Sequence, residues 1–141
     1  MTRLKGLRAG TIAASLASLP FTVPHVLEDF ADGITARVGL STGQAASLLG
    51  MVLAAQSLGL ALVGQGRRGG FILTFWVGVI WVAGAAVEHG PALLAGGPSA
   101  SRITGLWLGG LVLAQATAAL LALWGWLLSR SRRSMELRPW K

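Results

Sequence analysis

Four long windows constrain this chain more than any other feature: residues 9–27, 44–64, 71–88 and 103–128 are apolar throughout and contain no Asp, Lys or Arg. Glu88, the last residue of the third window, is the one acid among them. Each window reaches or approaches the ~20 residues an α-helix needs to cross a hydrocarbon core ~30 Å thick. Across all 141 residues only 12% are charged while 53% are hydrophobic. That is too little charge to cover a soluble domain of this size. The expected fold is therefore all-α: a four-transmembrane-helix bundle forming a single integral membrane domain over 1–141.

The net charge is +7, but its placement argues against nucleic acid as a partner. Of the twelve basic residues, all except Arg37 and Arg102 fall on the N-terminus, the second loop or the tail 129–141. With four spans, those two groups lie on opposite sides of the bilayer. Because cytoplasmic loops carry the excess of Lys and Arg, both termini are expected in the cytoplasm. The expected location is a cell membrane, the cytoplasmic membrane of a bacterium, with the lipid bilayer itself as the first partner. The basic N-terminus followed by Ala and Ser also resembles a signal peptide, but Pro20, Phe21 and Pro24 replace the small residues of a cleavage site. The first window is therefore read as a retained helix. With no cysteine there are neither disulfides nor thiolate metal sites.

Along the chain, Ala13, Ala14, Ser15, Ala17 and Ser18 allow close helix packing. Pro20 and Pro24 each remove a backbone donor and predict a bend there. In lipid such a bend survives only where protein, water or a side chain satisfies the freed carbonyls. Residues 25–38 are expected to continue as an amphipathic helix or helical loop, and Ser41-Thr42-Gly43 to cap the second span. Gly50, Ala54, Ala55 and Gly59 form its small face, and the short loop Gly64–Gly70 makes the second and third spans antiparallel neighbours. Gly90-Pro91 predicts the end of the third span. Gly105 and Gly109 form a GxxxG pattern opening the fourth, another small face on which a homo-oligomer or larger membrane complex can build.

Chemistry concentrates in two places. His25, Glu28, Asp29 and Asp32 are spaced i, i+3, i+4 and i+7, which puts them on one helical face. Glu88-His89 closes the third window at the same, extracytoplasmic end, so a polar acid-and-histidine pocket is expected between the first and third spans. Glu88 and His89 diverge by ~100° on a helix, so one of the two is expected to face the bundle. Six functional readings follow from these residues. A solvated interfacial cap, with the acids paired to Arg37 and Arg102, needs no ligand at all. A small-molecule binding or accessory protein would use His25, Glu28, Asp29, Glu88 and His89, with Gln56 and Gln115 deeper in the bundle. A divalent metal would take His25, Glu28, Glu88 and His89 as N and O ligands. A membrane enzyme acting on a lipid-soluble substrate would use His25, Glu28 and Glu88 for acid–base or metal chemistry. A subunit of an ion or proton transporter would exploit histidine's titration near neutrality, although Gln56, Gln115, Ser and Thr provide no ionisable inner path. His25 and His89 are also the only two residues able to ligate a haem through imidazoles. Without Cys or Tyr and without a Gly-x-Ser-x-Gly elbow, nucleophilic catalysis is not expected. The Gly-rich loops lack a phosphate-binding pattern.

Overall fold

The computed structural model describes residues 2–37, 39–94 and 102–136. These form six helices: α1 (Thr2–Ala17), α2 (Leu19–Ala31), α3 (Ile34–Arg37), α4 (Thr42–Gly64), α5 (Arg68–Leu94) and α6 (Arg102–Glu136). Four helical runs are long and apolar enough to cross a membrane: Thr2–Ala31, which joins α1 to α2, then Thr42–Gly64, Arg68–Pro91 and Gly105–Ser131. The third loop, around Gly96–Ser99, and the end of the basic tail lie outside the described residues.

The first run is broken at Ser18, two residues before Pro20 and within the turn whose hydrogen bond that proline removes. Ser18 is the only non-helical residue between α1 and α2, and its backbone (φ −73°, ψ −26°) stays in the right-handed region. Pro20 is tolerated in the opening turn of α2, where a missing N–H costs least, and Pro24 lies within that helix. At the break the Ser15 carbonyl accepts the Ser18 N–H at 3.3 Å, the Ser18 hydroxyl at 2.7 Å and the Gln56 amide at 3.2 Å. The last of these comes from another helix, as a break in an apolar setting requires.

Gly90-Pro91 does not end α5, although the apolar run stops at Pro91. α5 runs on through Pro91 to Leu94. Proline is compatible with helical φ and deprives only one carbonyl of its partner, a small loss so near a helix end. The cap of α4 follows expectation. The Ser41 hydroxyl accepts the Gln44 N–H at 3.2 Å while the Gln44 side chain accepts the Ser41 N–H at 2.9 Å, a reciprocal capping box. The turn Gln65–Arg67 then joins α4 to α5. Its Gly66 has φ +76°, a conformation that disfavours any side chain.

α1 packs against α4 and α6, and α5 packs against the same two helices. The bundle is thus a four-cornered ring in which the α1–α2 run and α5 sit on opposite corners. Its interior mixes apolar residues, among them Val63, Phe71, Val77 and Leu111, with an unusual share of polar ones. Thr11, Ser15, Ser18, Thr22 and His25 are buried, whereas Leu27 (65% exposed), Leu113 (71%) and Leu120 (67%) cover the outside. An apolar shell over a partly polar interior would suit a lipid surrounding, where tails as apolar as leucine do not drive helices together.

Close approach replaces that drive. The Gly105-Gly109 pair has open space where its side chains would be, so it makes no contact inside the bundle. Contact falls instead on Gly59, Gly70, Gly78, Gly110 and Gly125. A Cβ on Gly78 would stand 2.9 Å from both the Ala119 Cβ and the Gln115 carbonyl. Gly78→Ala is therefore expected to lower stability in detergent by about 1–3 kcal/mol through forced separation of α5 and α6. Gly109→Ala should be neutral or slightly stabilising, since alanine favours helix by about 0.5–1 kcal/mol. Thermal unfolding of the two variants side by side makes the comparison.

Candidate functional site

The buried polar residues of the first run are spaced 11, 15, 18, 22 and 25, alternating by four and three, and Asp29 continues the series. This spacing holds one face of the α1–α2 run toward the bundle over its whole length. Two sites lie along that face.

The deeper one is a hydrogen-bonded hub. The Gln56 amide of α4 donates to the Ser15 hydroxyl at 3.0 Å as well as to its carbonyl. Its Oε1 accepts the indole N–H of Trp81 on α5 at 3.1 Å and the Gln115 amide of α6 at 3.3 Å. Gln115 donates in turn to the Ser18 hydroxyl at 2.8 Å. All four corners of the ring are thereby joined at one level. The two glutamines, expected among ligand-binding residues, are committed to helix-helix bonds and do not line the cavity described below.

Seven residues beyond Ser18, about 10 Å along the helix, His25 opens the second site. It is 3% exposed, and its Nε2 lies 3.4 Å from Asp29 Oδ2. Asp29 Oδ1 is 4.0 Å from His89 Nε2, which is also 4.0 Å from Glu88 Oε2. One ligating atom from each of His25, Asp29, Glu88 and His89 falls within 4.8 Å of all the others. The imidazoles are in direct contact, with centroids 5.1 Å apart and planes tilted by 48°. That contact leaves no room for a porphyrin plane between them.

This grouping differs from the expected one in two respects. Asp29 takes the place assigned to Glu28, because i+4 lies more nearly above His25 on the helix than i+3 does. Glu28 Oε2 is nonetheless buried and has no hydrogen-bond partner. Glu88 and His89 both reach the cluster, although they are adjacent in sequence. α2 and α5 meet across the diagonal of the bundle, where long side chains converge from either flank of α5. The acids are not tied to arginine. Arg37 donates to the Asp32 backbone carbonyl at 3.3 Å, and among the described residues no Arg–carboxylate pair occurs. The Arg102 side chain lies outside the described residues.

A cavity of about 230 Å³ opens beside the cluster. Beyond Ser18 the first run packs on α6 and draws away from α4, which leaves the space between α2, α3, α4 and α5. Val26, Phe30, Leu49, Val52 and Ile80 line it, Trp81 and Leu111 contribute from the hub level, and His25, Asp29 and Glu88 form its polar part. Trp81 therefore connects hub and cavity. The four-three spacing of Thr11, Ser15, Ser18 and Thr22 was the signal that would have pointed to the buried face in advance.

Comparison of the chain with protein-family models, with curated proteins and with solved structures finds no match in any of the three.

The hub makes its own prediction. Gln56→Leu strands the Trp81 N–H, takes from the Gln115 amide one of its two acceptors and removes the donor to the Ser15 hydroxyl and carbonyl. Gln115→Leu, by contrast, removes one donor to Gln56 Oε1 and one to the Ser18 hydroxyl, which keeps its bond to the Ser15 carbonyl. Gln56→Leu is expected to cost about 1–3 kcal/mol, more than Gln115→Leu. The double variant should cost less than the sum of the two, as groups sharing one network do. Denaturant unfolding of the three variants in micelles measures the coupling.

Proposed function

We propose that this protein is a polytopic protein of the cell membrane, with both termini cytoplasmic, that binds a small lipid-soluble molecule bearing a polar head. The exposed leucines and the four apolar runs support the bilayer setting, and the distribution of Lys and Arg supports the orientation. One observation carries the binding role: a 230 Å³ cavity with apolar walls ends on His25, Asp29 and Glu88. An apolar pocket with a few convergent polar groups is the usual form of a small-molecule site. A dry cavity of about 150 Å³ accommodates benzene, so this one suits a single substituted ring rather than an acyl chain or macrocycle. The carboxylates and imidazoles at its end favour a hydroxyl or amine head that donates hydrogen bonds. The same polar end favours a second reading, an enzyme acting on such a molecule, since His25 and Glu88 can accept or return a proton at the head group.

4-Propylphenol is a suitable first compound. Titrated into the purified full-length protein in nanodiscs, it is expected to change the tryptophan fluorescence saturably, and Trp81→Phe should remove most of the change. Leu49→Trp, which fills the cavity, should weaken binding at least about tenfold, or 1.4 kcal/mol. Equal responses to propylbenzene, which has no head group, would refute recognition of the polar end. Reporter fusions placing the C-terminus outside the cell would refute the orientation.

A further inference from the structure

The four groups at the end of the cavity make a site of their own, independent of whether a lipid-soluble molecule binds beside them. We infer that His25, Asp29, Glu88 and His89 form a centre for one divalent transition-metal ion of the zinc type, with two imidazole nitrogens and two carboxylate oxygens as ligands.

Three observations support this. The first is geometric. Tetrahedral zinc holds N and O donors about 2.0–2.2 Å from the metal, which sets them about 3.3 Å from one another. The His25–Asp29 separation is already 3.4 Å, and the two contacts of His89 Nε2 are 4.0 Å. All four donors lie within 4.8 Å of each other, so each needs to close by no more than about 1–2 Å to share one ion.

The second is unsatisfied valence. His89 Nε2 is buried with no hydrogen-bond partner while sitting between two carboxylate oxygens. His25, with its side chain only 3% exposed, also has a partnerless nitrogen, Nδ1. Buried polar atoms without partners are uncommon and call for an explanation. A cation between the donors supplies the missing partner for His89.

The third is charge. Two ionised carboxylates brought together at the end of an apolar bundle repel one another and lose hydration. Among the described residues no arginine pairs with them directly, and Arg37 acts on Asp29 only through space. Two neutral imidazoles, two carboxylates and one M²⁺ sum to zero, which removes the electrostatic cost of placing the acids here. Soft thiolate ligands are absent, since the chain has no cysteine, so the donor set suits Zn²⁺ or Co²⁺ and not Cu⁺. Glu88 is the most exposed of the four, at 32%, and also lines the cavity. It is the ligand best placed to yield its position to an incoming group.

Cobalt provides a direct readout, because tetrahedral Co²⁺ absorbs visibly and hydrated Co²⁺ hardly does. Purified full-length protein, stripped with chelator in detergent, is expected to bind one Co²⁺ with strong visible bands, and stoichiometric Zn²⁺ should bleach them. Asp29→Asn nearly preserves shape, and His89→Gln removes the orphaned nitrogen. Each should weaken Co²⁺ binding at least about 100-fold, beyond the 10–100-fold typical of outer-shell changes. Asp32→Asn, outside the cluster, should bind as the parent does. Size-exclusion profiles verify that each variant is folded, and where Asp29→Asn is not, the His89→Gln result decides. Absence of visible bands in the folded parent would overturn the assignment. So would unchanged affinity in folded His89→Gln.

Discussion

The Gln56 side chain is the interaction on which the rest of the structure depends. In the bilayer setting proposed above, helices gain nothing from burying leucine against leucine, so the bundle needs another reason to hold one arrangement. Gln56 provides it by bonding Ser15, Trp81 and Gln115 from the three other corners. Each bond is modest, since polar contacts between membrane helices typically contribute about 0.6 kcal/mol and rarely more than 2. Their value lies in direction. A hub with fixed donors and acceptors admits one rotation of each helix, and the glycine contacts at Gly59, Gly78 and Gly125 admit one spacing. Together they set the register of the first run, and with it the position of His25 two turns further on.

The helices were legible in the sequence because apolar length is a strong signal that tertiary contacts hardly modify. The capping box at Ser41 was legible for a similar reason: it is completed within four residues. The meeting of His25 with Glu88-His89 could also be foreseen, since both lie at the same end of antiparallel spans. What could not be read was the finer selection. Whether Asp29 or Glu28 faces inward depends on the rotation of α2, which the distant Gln115–Ser18 bond helps to set. Whether Glu88 and His89 can both reach depends on α5 occupying the corner diagonal to α2. The passage of α5 through Pro91 shows the same limit in the backbone: a local stop signal loses when the lost hydrogen bond is one near a helix end.

The cavity was illegible for a different reason, since no residue encodes it. It exists because α2 follows α6 while α4 does not follow α2. The divergence begins at Ser18, the single residue where the first run ceases to be a regular helix. There the Ser15 carbonyl is held by a donor from α4, so the two helices remain joined up to the break and separate beyond it. One irregularity thus fixes the join on one side and permits the opening on the other.

That connection bears on how the acid and histidine cluster is tolerated. A lone pair of carboxylates placed between spans would be expelled toward water by a small helix rotation. Here rotation is opposed from below, because turning α2 enough to release Asp29 would also pull Ser18, its N-cap, from Gln115. His25 is buried against His89 without satisfying its own Nδ1, which is the arrangement expected of donors held in place for something other than packing. Strain of this kind persists only where surrounding structure over-determines it, and the hub is the structure that does so.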